Sequence, residues 1–120
     1  MNYKISIPEL EKITSKTLVE ELLYEFSLTR NSYWLGDITK TLIHASRFCE
    51  ICIAGLKKVS DPNSIIDLNN IKFGHFYDQL INLPKTSAKE EVLFLMIPYA
   101  LKTAYTIRSK KRVAHVKMTN

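Results

Sequence analysis

Apolar side chains recur at every third or fourth position over most of the chain, the spacing that lines one face of an α-helix and not one side of a strand. Leu18, Leu22 and Phe26, flanked by Val19 and Leu23, form the first such face. Ahead of it, Ser6-Ile7-Pro8-Glu9 reads as a capping box, with the serine accepting from a free backbone N–H, the glutamate reaching back and proline tolerated in the first turn. A helix from Ser6 to about Arg30 is predicted. Ile38, Leu42, Ala45, Cys49, Cys52 and Leu56 then follow one another at spacings of 4, 3, 4, 3 and 4. They predict a second helix, capped by Asp37 and buried along that stripe. It should end near Val59, where Ser60-Asp61-Pro62-Asn63 makes a turn. A third helix is expected from Ile71 to Leu83, with Phe73, Phe76, Leu80 and Leu83 on one side and Pro84 as its stop.

The fourth helix has its own capping box, Ser87-Ala88-Lys89-Glu90, and an apolar run through Val92, Leu93, Leu95, Met96 and Ile97. Pro98 removes a backbone donor, so a kink or break is expected near Ile97. The helix resumes through Tyr99 to Arg108, and the spacing of Leu101, Ala104, Tyr105 and Arg108 brings the arginine to the end of a packed face. An arginine there needs an anion or a carboxylate.

These elements predict an all-α antiparallel helical bundle of four to five helices, and 120 residues fit a single domain spanning positions 1–120. Scarce glycine (3) and proline (4) argue against an all-β sandwich, and 46% hydrophobic residues argue against disorder. No apolar run approaches the ~20 residues of a membrane span. The N-terminus lacks the apolar core of a signal peptide, so a cytoplasmic location with reduced cysteines is expected.

Charge changes the picture only at one end. Residues 1–100 carry 11 basic and 12 acidic side chains, whereas residues 101–120 carry six basic ones and no acid. The whole surplus of +5 therefore belongs to Lys102, Arg108, Lys110, Lys111, Arg112 and Lys117. Such a block is either a solvated helix end or a phosphate-binding surface.

Other candidate chemistry is thin. Cys49-Glu50-Ile51-Cys52 has the spacing of half a zinc site or a redox dithiol, but no second pair exists and both cysteines fall on the helical stripe, which favours core packing. No glycine-rich phosphate loop, metalloprotease helix or serine-hydrolase elbow is present, so neither a metal nor a cofactor is expected. His75 reads as a helix-surface or half-buried histidine. What remains is Arg108-Ser109-Lys110-Lys111-Arg112-Val113-Ala114-His115. Histidine can exchange a proton near neutrality, and arginine offers a permanently charged fork matched to phosphate oxygens. Together they could cleave RNA without a metal, His115 moving the proton and Arg108 holding the phosphate. The same residues also suit a basic helix end with one histidine.

The run from Ala104 to Val116 resembles the closing motif of HEPN-type domains of bacterial abortive-infection and other antiphage-defence proteins, which pair an arginine with a histidine four to six residues beyond it. Here six residues lie between Arg108 and His115. An earlier element of such proteins resembles Ala45-Ser46-Arg47-Phe48-Cys49-Glu50, and their proline ahead of the motif corresponds to Pro98. The resemblance covers roughly residues 35–116, with the final motif its specific part. It implies a helical bundle that dimerises, cleaves RNA without a metal and acts in defence or a toxin system, in some cases with an antitoxin or effector partner. Arg108 and His115 would be catalytic, Lys110, Lys111 and Arg112 would hold flanking phosphates, and Glu50, Arg47 and Ser109 would support the pair. Ser109 and Val113 depart from the usual asparagine or aspartate and the usual glycine. The chain also ends five residues after His115, where similar proteins continue into a closing helix, so a C-terminally shortened bundle is expected. The alternative that these departures favour is a non-catalytic RNA-binding, regulatory or dimerisation module.

Overall fold

The computed structural model describes residue 11 and residues 14–106. Four helices lie within residues 14–106: α1 (Lys16–Trp34), α2 (Ile38–Ser60), α3 (Phe73–Ile81) and α4, which starts as Ala88–Glu91, widens into a π-helical turn over Val92–Met96 and continues as α-helix over 97–106. No strand occurs among the described residues, and the architecture is a helical bundle. None of the described helices is long and apolar enough to cross a membrane.

The first helix differs from its expected bounds. Thr14 is a bend and Ser15 is extended (φ −163°), with its hydroxyl accepting from the Leu18 N–H, so α1 starts at Lys16 and not as a continuation from Ser6. The Ser6–Glu9 capping box lies outside the described residues. Because Leu18 stands where a capping box would have glutamate, this second cap carries only half of the sequence signature. At the other end α1 runs past Arg30 to Trp34. Gly36, at φ +76°, stops it: the Gly36 N–H donates to Tyr33 O and the Asp37 N–H to Ser32 O, closing the Schellman pattern. Asp37 at once caps α2, its carboxylate accepting from the Lys40 N–H at 3.0 Å. The three-residue turn makes α1 and α2 antiparallel neighbours, with Leu18 beside Ile51 and Ala54 at one end and Phe26 facing Phe48 in the middle.

Helix α2 is the hub, and the single buried stripe expected of it is corrected by the structure. Cys49 and Ile53 pack with Phe73, Tyr77, Leu80 and Phe94, while Ile51 and Ala54 face α1 through Leu18. Burial therefore follows two rows. Ile38 is exposed at the N-terminal end, and Cys52 lines an open groove. On α1, likewise, Leu18 and Val19 are buried but Leu23 and Phe26 are exposed.

Helix α4 is not broken at Pro98. The Ile97 N–H donates to Val92 O, an i→i+5 bond, and the wider turn shifts the carbonyl row against which a proline ring would clash. Pro98 is then fully buried with no interruption of the helix. In place of the expected break, the helix accommodates the proline with this π turn.

Candidate functional site

The last described turn of α4 is seated by aromatic and polar contacts. Tyr105 stacks on Phe73, with ring centroids 4.4 Å apart and planes 6° from parallel. Phe73 in turn stacks on Tyr77, and Lys102 lies 4.3 Å above the Tyr77 ring centre, a cation–π contact. The Tyr105 hydroxyl donates to Glu50 Oε2 at 3.2 Å, linking α4 to α2 across 55 residues of sequence.

Glu50 uses its other oxygen on Arg47, 3.7 Å away one helical turn earlier. The Arg47 guanidinium also donates to the backbone carbonyl of Leu68, and Lys58 donates to that of Ser64, so both cations pin the α2–α3 connector to α2. Arg47 and Glu50 are each about three-quarters buried, their side chains retaining 27% and 23% of their exposure. This geometry makes Arg47 a tether for the connector and leaves Glu50 between two helices. Of the residues singled out by sequence, Glu50 and Arg47 are thus brought together. Arg108, Ser109, Lys110, Lys111, Arg112 and His115 lie outside the described residues.

Cys49 packs in the core and Cys52 is half-buried at the groove. Burial pushes the Cys52 thiol up to about 12, and burial with the neighbouring Glu50 raises Cys49 as well. Both stay protonated near neutrality, the form that is neither nucleophilic nor a metal ligand. No group of three or more candidate metal ligands occurs among the described residues. His75 is exposed and shares a 3.1 Å contact between its Nε2 and Gln79 Nε2.

A polar pair that sequence reading missed joins α1 to α2: Glu25, 8% exposed, meets His44 Nδ1 at 2.8 Å. Its signal was present in the spacing, since position 25 continues the row Leu18–Leu22 and places a carboxylate among apolar neighbours. Such a pair fixes which turn of α1 faces which turn of α2, because a shift by one turn would leave Glu25 without its partner.

No protein-family model matches the chain, and no curated protein or solved structure is significantly similar to it.

Proposed function

We propose that the chain is a HEPN-like, metal-independent endoribonuclease of a bacterial defence or toxin system, working in the cytoplasm. The observation that carries this reading is the Tyr105–Glu50 hydrogen bond, which locks the rotation of α4 against α2 three residues before Arg108. Residues three apart on a helix share a face, and in this reading Arg108 would use the one that Tyr105 turns toward Glu50. In this reading His115 takes the proton of an RNA 2′-hydroxyl while that oxygen attacks the adjacent phosphorus. The bond to the 5′-oxygen breaks, the leaving oxygen acquires a proton, and a 2′,3′-cyclic phosphate remains. Arg108 compensates the charge growing on the phosphate oxygens. Lys110, Lys111 and Arg112 hold neighbouring phosphates, with Ser109 as a further hydrogen-bonding group. Glu50 positions the arginine and Arg47 holds Glu50.

Cleavage of single-stranded RNA in EDTA tests it. Wild-type protein should cut, while His115→Ala and Arg108→Ala should lose at least two orders of magnitude in rate, within the ~10²–10⁴-fold range of general acid–base catalysis. Lys110→Ala with Lys111→Ala should instead weaken binding and flatten its salt dependence. Salt-sensitive RNA binding with no turnover in wild type would select the non-catalytic module that Ser109 and Val113 favour. No RNA affinity would remove the ribonuclease and RNA-binding readings and select a dimerisation or regulatory module.

A further inference from the structure

The turn that joins α1 to α2 carries the most exposed large apolar side chains of that hairpin. Tyr33, Trp34 and Leu35 are 63%, 77% and 84% exposed, and Ile38, in the first turn of α2, is 53% exposed. The Tyr33 and Trp34 rings meet edge to face with their centroids 6.1 Å apart. The backbone donors beneath them are already used: the Leu35 N–H donates to Asn31 O, that of Gly36 to Tyr33 O and that of Asp37 to Ser32 O. The Asp37 carboxylate accepts from the Lys40 N–H, so it is engaged by the start of α2. A turn whose donors are satisfied internally can leave water without losing those hydrogen bonds, which is what entry into an apolar medium demands.

Charge stands behind this apolar tip. Residues 30–40 carry three charged side chains, Arg30, Asp37 and Lys40. Arg30 is exposed and lies 5.9 Å from the centre of the Phe26 ring. It precedes Trp34 by one helical turn, about 6 Å back along α1 at 1.5 Å per residue. Lys40 is exposed on the other arm, and the next charged group back along α1, Glu25, is buried against His44 of α2. From the apex backward the order is aliphatic, aromatic, cationic. A bilayer presents the complementary order from its acyl boundary to its phosphates, and tryptophan and tyrosine prefer the level between them. We propose that the tip docks on a bilayer surface containing anionic phospholipid, with Leu35 and Trp34 entering the acyl boundary and Arg30 and Lys40 meeting the lipid phosphates. Stacking on RNA bases would use the two rings and leave Leu35 and Ile38 without a role. The inference does not depend on ribonuclease activity.

Trp34 is the only tryptophan, so its emission reports the tip. The full chain should sediment with vesicles of mixed phosphatidylcholine and phosphatidylglycerol, and the emission should move to shorter wavelength on binding. Leu35→Glu, at an exposed position, should lower vesicle affinity roughly tenfold or more, the scale of one buried leucine side chain, with unchanged far-UV circular dichroism. Arg30→Gln with Lys40→Gln should lower affinity for the mixed vesicles about fivefold or more and change affinity for pure phosphatidylcholine little. No sedimentation with the mixed vesicles, binding that leaves the Trp34 emission unshifted, or undiminished binding by either variant would each overturn the proposal. So would an emission shift that single-stranded RNA or a higher protein concentration produces and the vesicles do not, since the tip would then serve a polynucleotide or a second copy.

Discussion

Glu50 is held at both oxygens, by Arg47 within its own helix and by Tyr105 from α4, and this small set decides how the end of α4 is oriented. Tyr105→Phe keeps the ring stack on Phe73 and deletes the bond to Glu50. It should cost about 1 kcal/mol in urea unfolding, the usual net value of one hydrogen bond. If Glu50 positions Arg108, the same variant should also lower kcat for RNA cleavage with KM little changed; an unaltered kcat would reduce Tyr105 to packing. Cys52 gives a second residue-scale test. Its thiol is raised from 9.0 to about 12, so the unfolded chain releases this proton first as pH rises. The stability linked to Cys52 is therefore complete below pH 9 and is lost between about pH 9 and 12. Denaturation followed across that window should show a decline that Cys52→Ala diminishes.

At the scale of elements, the ends of the helices obey local chemistry. Asp37 and Ser87 cap the helices that follow them, as their side chains and neighbours led one to expect. Glu90 reaches back one residue beyond the cap, accepting from the Thr86 hydroxyl and N–H and from the Ser87 hydroxyl, and its carboxyl is lowered first by the Thr86 hydroxyl. Gly36 stops α1 because the left-handed backbone there suits a residue without a Cβ. A Cβ at this position would meet nothing within 4 Å, so Gly36→Ala should cost only the backbone term, about 1–2 kcal/mol, read from thermal or urea unfolding. What could not be read locally depends on tertiary packing. The two buried rows of α2 arise because α1 and the α3–α4 pair press on different sides, and one apolar periodicity cannot reveal two neighbours. The π turn before Pro98 is a similar case. Sequence identifies the missing donor, but burial of the proline selects widening over breaking. Of the site, Glu50 and Arg47 were singled out through the resemblance, whereas the bond to Tyr105 depends on how α4 lies across α2.

For the molecule as a whole, charge is distributed unevenly along the chain. The first hundred residues are within one charge of neutrality, and their open apolar surface runs from the groove along α1 to Trp34. The basic surplus belongs to the last twenty residues, with Arg108 and His115 among them. A cationic end that meets phosphates would account for the uneven charge. Lys110→Ala with Lys111→Ala should lower affinity for RNA and leave the helical far-UV circular dichroism unchanged. The central claim concerns the cationic end and has a direct test: single-turnover cleavage of a single-stranded RNA in excess EDTA by wild-type protein and by His115→Ala. The account predicts products ending in 2′,3′-cyclic phosphate from wild type and at least a hundredfold slower cutting by the variant, within the range expected for loss of an acid–base group. Equal rates for the two proteins, or cleavage by wild type only when a divalent metal is added, would contradict it.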